Sequence, residues 1–184
     1  MSIQHISLNV SDISKARKFY LAALKPLGYR VFMEFYEGKV LGMGPLTCGP
    51  VFWLASCDAP TAHGSDKRHG KDFDFEKESA IQKPRDVTGP LHIAFSASNR
   101  QKVREFYEAA IAAGGKCNGP PGLRPEYFMT NYSAYVLDPD GRNIEAICMK
   151  PAFWAEPWGA LGWGLIGVLG GTGGGLVARY MGWL

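Results

Sequence analysis

Residues 92–107, HIAFSASNRQKVREFY, repeat residues 5–20, HISLNVSDISKARKFY, without a gap and 87 positions further on (5 to 92). His5 matches His92, Ile6 matches Ile93 and Ser11 matches Ser98. Lys15, Arg17, Phe19 and Tyr20 match Lys102, Arg104, Phe106 and Tyr107, and the register holds through Ala22 and Ala23 to Gly28, opposite Gly115. Within each copy the hydrophobic period changes once. Residues 3–10 and 91–98 alternate apolar and polar, as half-buried strands do. Ser11 and Asp12, or Asn99, are then placed to cap a helix. Ile13, Ala16, Tyr20, Ala23, Leu24 and Leu27 follow at helical spacing in the first copy, and Val103, Phe106, Tyr107, Ala110 and Ile111 in the second. Pro26 with Gly28, and Gly114 with Gly115, close the helices. Three short runs complete the first copy: Tyr29–Phe35, Lys39–Met43 and Val51–Ala55. The second copy ends in a hairpin. Tyr135 to Leu137 form one arm, Asp138-Pro139-Asp140-Gly141 the turn, and Asn143 to Ile147 the return. The chain reads as a duplicated βα-plus-hairpins unit, each copy too small to bury its apolar face alone.

Composition bounds the rest. With 184 residues and 46% hydrophobic content, a single domain with a real core is expected. The net charge is only +3, and no basic stripe with interleaved aromatics is present, which argues against nucleic acid as a partner. Cys48, Cys57, Cys117 and Cys148 form no CxxC pair. Reduced thiols in a cytoplasmic compartment are the simplest expectation, since residue 1 leads into a polar-spaced strand and not into a secretory leader.

In the hairpin, one carboxylate stands out. Glu145 lies between Ile144 and Ala146 on an interior strand, and such a group is costly unless paired, exposed or metal-bound. Strand parity puts His5 with Ser7 and Asn9, His92 with Ala94 and Ser96, and Glu145 with Asn143 and Ile147. Each falls on the more polar face of its strand. Two imidazoles and one carboxylate make a facial triad with open positions, suited to Fe, Mn, Zn, Co or Ni. Open positions let a substrate with neighbouring oxygens chelate a metal that acts as Lewis acid or activates O2. Taken singly, each histidine is more often a hydrogen-bonded rim or core residue, and a glutamate is more often salt-bridged.

The segments HISLNVSDISKARKFY, LHIAFSASNRQKVREFYEAA and PGLRPEYFMTNYSAYVLDPDGRNIEAI resemble the vicinal oxygen chelate superfamily. That group holds glyoxalase I, extradiol dioxygenases, and fosfomycin and bleomycin resistance proteins. The resemblance implies an α+β fold of two paired βαβββ modules whose sheets form a cupped half-barrel. It also implies one divalent metal inside the cup, held by His5, His92 and Glu145, with Glu145 serving in catalysis as well. The expected divisions are a domain over residues 1–150 and a Gly/Trp-rich tail over 151–184. Within the domain, module one spans about 1–57, a charged linker about 58–88, and module two about 89–150. One departure bears on function. Glyoxalase-type sites draw a fourth ligand from the last strand of module one, and that position falls at or near Trp53, which offers none. A three-ligand set is nearer the dioxygenases, but their additional acid/base histidine has no counterpart here. His63 and His69 lie in the linker and read as surface residues.

Phe52, Trp53, Tyr127, Tyr132 and Tyr135 are candidates to wall a pocket, with ordinary core packing as the alternative for most. Arg124 reads as a loop residue over the cup, holding either an anionic group or a surface ion pair. In the tail, residues 159–178 carry no charge and are long enough to span a bilayer, and Gly167/Gly171 and Gly171/Gly175 suit close helix pairing. Their glycine density opposes helix formation. Membrane contact, packing on the domain or on a second subunit of a homodimer, and a disordered extension all stay open. Three functions follow as expectations: a metal-dependent lyase or dioxygenase acting on a small molecule, a non-catalytic small-molecule binder, and a membrane-associated protein assembled through its tail.

Overall fold

The computed structural model describes residues 3–59 and 86–156. Most of the charged linker, with His63 and His69, and the whole uncharged run 159–178 lie outside the described residues. Module one runs β1 (Ile6–Val10), α1 (Ile13–Leu24), a 3-10 turn (Lys25–Leu27), β2 (Tyr29–Phe35), β3 (Val40–Pro45) and β4 (Phe52–Ser56). Module two runs β5 (His92–Ser96), α2 (Arg100–Ala112), β6 (Lys116–Leu123), β7 (Tyr132–Leu137) and β8 (Asn143–Cys148), followed by a short helix α3 (Ala152–Ala155). Each module is βαβββ, with sheet orders β1-β4-β3-β2 and β5-β8-β7-β6. The first strand pairs parallel with the last, and the others pair antiparallel.

Asp12 caps α1, its carboxylate accepting from the amides of Ser14 and Lys15 at 3.0 Å each. Asn99 caps α2 by accepting from Lys102 N at 2.9 Å. Gly28 closes the 3-10 turn at φ +86°, a left-handed conformation that a side chain would strain. Ala16, Phe19, Tyr20, Ala23 and Leu24 of α1, and Val103, Phe106 and Ala110 of α2, pack on Leu8, Val10, Leu41, Met43, Leu54, Ile93, Phe95, Val136, Ile144 and Ala146 in one core shared by both modules. The two copies are not buried equally. Tyr20 and Leu24 are fully buried, whereas Tyr107 is half-buried and Ile111 is exposed.

One expectation needs correction. The first strand begins at Ile6, so His5 precedes it and is exposed. Residues 116–123, KCNGPPGL, form an edge strand that their two prolines and two glycines conceal in sequence. Its pairing with β7 slips twice, as an edge with prolines permits.

The DPDG turn joins the modules. Asp138 accepts from the amides of Asp140 and Arg142 at 2.9 and 2.8 Å, and Gly141 sits at φ +84°. Arg142, only 1% exposed, donates to Asp138 Oδ2 at 2.7 Å, to Asn9 O of β1 at 2.8 Å and to Thr88 O at 2.9 Å. It also lies 3.0 Å from Asp140 Oδ2. From α1, the Tyr20 hydroxyl donates to Asp138 at 2.7 Å, while Ser11 donates to Asp140. Burial first, and the adjoining Asp138 charge second, push the Tyr20 phenol far above its ordinary range and keep it a neutral donor.

Candidate ligand-binding cup

On each sheet the face away from the helices carries the candidate residues. In module two, Glu145 is paired in register with Ala94 on one side and Tyr135 on the other. Its side chain is 7% exposed, and Oε2 lies 2.8 Å from His92 Nε2. The methyl group of Ala94, between them on the face, leaves that diagonal open. The imidazole, half exposed, stands edge-on to the Tyr135 ring at 6.0 Å and 80°. Ser133 donates to the Tyr135 hydroxyl at 3.0 Å. Burial first and the Glu145 carboxylate next raise the Tyr135 phenol, with Ser133 and Arg124 acting in the opposite sense. Arg124 arches over the same ring at 5.6 Å, its guanidinium donating to Pro120 O at 2.8 Å and Leu123 O at 3.1 Å. Two glycines lie beneath it: a Cβ on Gly122 would stand 2.8 Å from Arg124 Nη1, and one on Gly119 2.7 Å from Tyr135 Cδ2.

In module one the pairing Ser7↔Trp53 corresponds to Ala94↔Glu145, because Ser7 and Ala94 are repeat equivalents. Trp53 therefore occupies the place that Glu145 holds in the other copy. By the same registers Gly42, opposite Trp53, corresponds to Tyr135, opposite Glu145. The indole lies across Gly42, where a Cβ would come within 2.8 Å of Trp53 Cη2. It reaches Phe35, the two rings lying near parallel at 6.3 Å, and donates its N–H to Pro50 O at 3.2 Å. His5 stands edge-on to it at 6.5 Å, and the His5 Nδ1 is bonded to Gln4.

Of the three predicted donors, the structure brings His92 and Glu145 together and leaves His5 beside Trp53. Among the described residues, no three His, Cys, Asp or Glu side chains group as a metal site. Three of the predicted pocket aromatics lie elsewhere. Phe52 is 2% exposed in the core, against Tyr20 at 5.0 Å and Phe95 at 5.3 Å. Tyr132, of the same parity as the buried Ala134 and Val136, turns to the helix side beneath Arg100 and Arg104. Tyr127 is 73% exposed on the loop between β6 and β7. Trp53, Tyr135 and Arg124 remain on the cup. Phe35 and Gly42 went unrecognised in sequence. Phe35 ends an alternating run, a readable signal, but Gly42 is informative only once its cross-strand partner is known.

The profile of the Glyoxalase/Bleomycin resistance protein/Dioxygenase superfamily matches residues 2–146, and the chain belongs to that superfamily. Among solved structures, a glyoxalase-related enzyme from Fulvimarina pelagi is 18% identical, with a TM-score of 0.52, over 80% of this chain and 88% of that one. A glyoxalase/bleomycin resistance protein/dioxygenase family enzyme from Burkholderia phytofirmans PsJN is 15% identical, with a TM-score of 0.53, over 82% and 100%. TioX from Micromonospora sp. ML1 is 15% identical, with a TM-score of 0.51, over 82% and 100%. These likenesses are of fold. No curated protein matches the chain.

The divalent ion implied by the superfamily meets a poor donor set here. His92 and Glu145 are near enough to share an ion, but His5 stands exposed beside Trp53 and the fourth corner is an indole. As arranged, the described residues do not fit a three-ligand metal. No helix among them is long and apolar enough to cross a membrane.

Proposed function

We propose that the chain is a small-molecule binding protein whose cup holds a flat, aromatic ligand with a polar end. One observation carries this reading: Trp53 stands where the repeat would place a second Glu145. A carboxylate there would favour an ion, whereas an indole beside Phe35 offers a planar apolar wall worth most to a stacked ring. The opposite half supplies the polar end. Glu145 accepts, Tyr135 is a neutral phenol, and the exposed edge of His92 either donates or accepts. In this role Glu145 orients the imidazole and does not serve an ion. The metal-dependent lyase or dioxygenase is the second reading, favoured by the 2.8 Å approach of His92 to Glu145.

One experiment separates them. Untagged protein is analysed for bound metal and screened by saturation-transfer NMR against planar hydroxylated or carboxylated aromatics, alongside Trp53→Ala and Glu145→Gln. The binding reading expects substoichiometric metal and aromatic hits weakened at least ~30-fold by Trp53→Ala, as loss of an aromatic anchor costs about 2 kcal/mol or more. Stoichiometric metal that disappears in Glu145→Gln, with aromatic binding indifferent to Trp53, would overturn it.

A further inference from the structure

On the outer side of module two, remote from the cup face, two arginines one helical turn apart converge on a single carboxylate. Arg104 Nη2 and Nη1 lie 2.8 and 3.3 Å from the two oxygens of Glu156, which follows α3. Arg100 Nη1 only grazes the same carboxylate, at 3.9 Å. The Tyr132 ring backs both guanidiniums, at 5.0 Å from Arg100 and 5.8 Å from Arg104, and its hydroxyl accepts from Arg104 at 3.4 Å. Arg100 is 8% exposed, yet its Nε has no hydrogen-bond partner among the described residues. The bond from Arg104 is the main influence holding the Glu156 carboxyl below its ordinary range.

Two cations thus face one anion, and one of them is buried with a donor unused. A guanidinium presents five N–H groups in a fork that fits oxyanions two at a time. Glu156 has two oxygens, and Arg104 takes both. A second buried guanidinium calls for additional oxygens that a carboxylate lacks and a tetrahedral dianion has. We propose that Arg100, Arg104 and Tyr132 form a binding site for a phosphate-class dianion, with Glu156 as its built-in competitor. Because the competitor lies directly after α3, the dianion and the docked C-terminal segment exclude one another. Phosphate binding would free residues 151–156 from α2, and docking of Glu156 would close the site.

The test is calorimetric titration of the full-length protein with inorganic phosphate and, separately, glycerol phosphate, at ionic strength matched with chloride. Removing the competitor in Glu156→Gln should tighten phosphate binding at least tenfold, an increment of about 1.4 kcal/mol typical of one charge-assisted contact. Adding Arg104→Gln to that variant should abolish saturable binding, and adding Arg104→Lys should weaken it while preserving charge. Tighter binding of glycerol phosphate than of inorganic phosphate would indicate an esterified ligand, and equal binding the free ion. Either supports the site. Thermal unfolding of each variant confirms that it is folded. No gain in Glu156→Gln, or phosphate binding that survives loss of Arg104 in a folded protein, would overturn the proposal.

Discussion

Arg142→Met should be among the most damaging single substitutions in the chain, although it sits in a turn. Methionine keeps much of the unbranched stem and removes the guanidinium. That leaves Asn9 O and Thr88 O without their charged donor, and the 5%-exposed Asp138 carboxylate without its counter-ion. Removing one partner of a buried pair typically costs about 3–5 kcal/mol, a large part of the roughly 5–15 kcal/mol that holds a domain folded. With a urea m-value near 2 kcal/mol/M, the midpoint should fall by about 1.5–2.5 M in equilibrium unfolding followed by circular dichroism. Arg17→Met supplies the contrast. Its partner Glu34 is almost as close at 2.8 Å, but both side chains are about 40% exposed, and the midpoint should barely move. Adding Asp138→Asn to Arg142→Met removes the stranded charge, keeps one oxygen for the amides of residues 140 and 142, and turns an NH2 toward the Tyr20 hydroxyl, which can accept from it, so the double variant should recover part of the loss. A midpoint shift below about 0.5 M for Arg142→Met, or a double variant no more stable than the single, would refute Arg142 as the joint between modules.

Two further outcomes follow from the same contacts. The Tyr20 phenol titrates near 10.0 when unfolded and far higher when folded, so its stabilisation is complete below pH 10 and is lost as the pH rises beyond it. Wild-type stability should therefore fall above pH 10 by about 1.4 kcal/mol per pH unit more steeply than that of Tyr20→Phe, measured by urea unfolding across pH 9–11; parallel profiles would contradict the contact. Gly42→Ala should push the Trp53 ring off its shelf at a cost of about 1–3 kcal/mol, with a changed indole signal in the one-dimensional NMR spectrum. An unaltered spectrum would mean that the indole does not lie across Gly42.

Much of the fold was legible because the repeat states it twice. A strand–cap–helix pattern that recurs residue for residue from His5 and from His92 leaves little freedom in architecture, and the DPDG turn fixes the last hairpin. β6 was hidden because its backbone is shaped by an edge position and its partners, while its prolines and glycines speak against a strand. The site was legible in kind but not in assembly. Parity placed Glu145 and His92 on the open face, and the family resemblance marked Trp53 as the corner where module one lacks a carboxylate. The list of pocket aromatics erred where it set that parity aside, since Phe52 is next to Trp53 and Tyr132 is three positions from Tyr135. Phe52 and Tyr132 went to the helix side, and His5 fell outside the strand whose alternation was used to orient it. The burial of Arg142 was not legible from the turn alone, since two of its acceptors are backbone carbonyls of residues 9 and 88, far away in sequence.

The Arg142 joint also sets a timetable. Tyr20 and Asp138 are 118 positions apart and Asn9 and Arg142 are 133, so the final fastening of the first helix awaits a residue made near the end of the domain. Long-range closures of this kind are slow compared with local helix and hairpin formation. A ribosome that has finished module one holds a nascent chain with the β1 carbonyl at Asn9 and the α1 phenol still unclaimed. Until the DPDG hairpin emerges, that half-domain is exposed to chaperones and proteases, and a chain terminated before residue 142 never leaves that state.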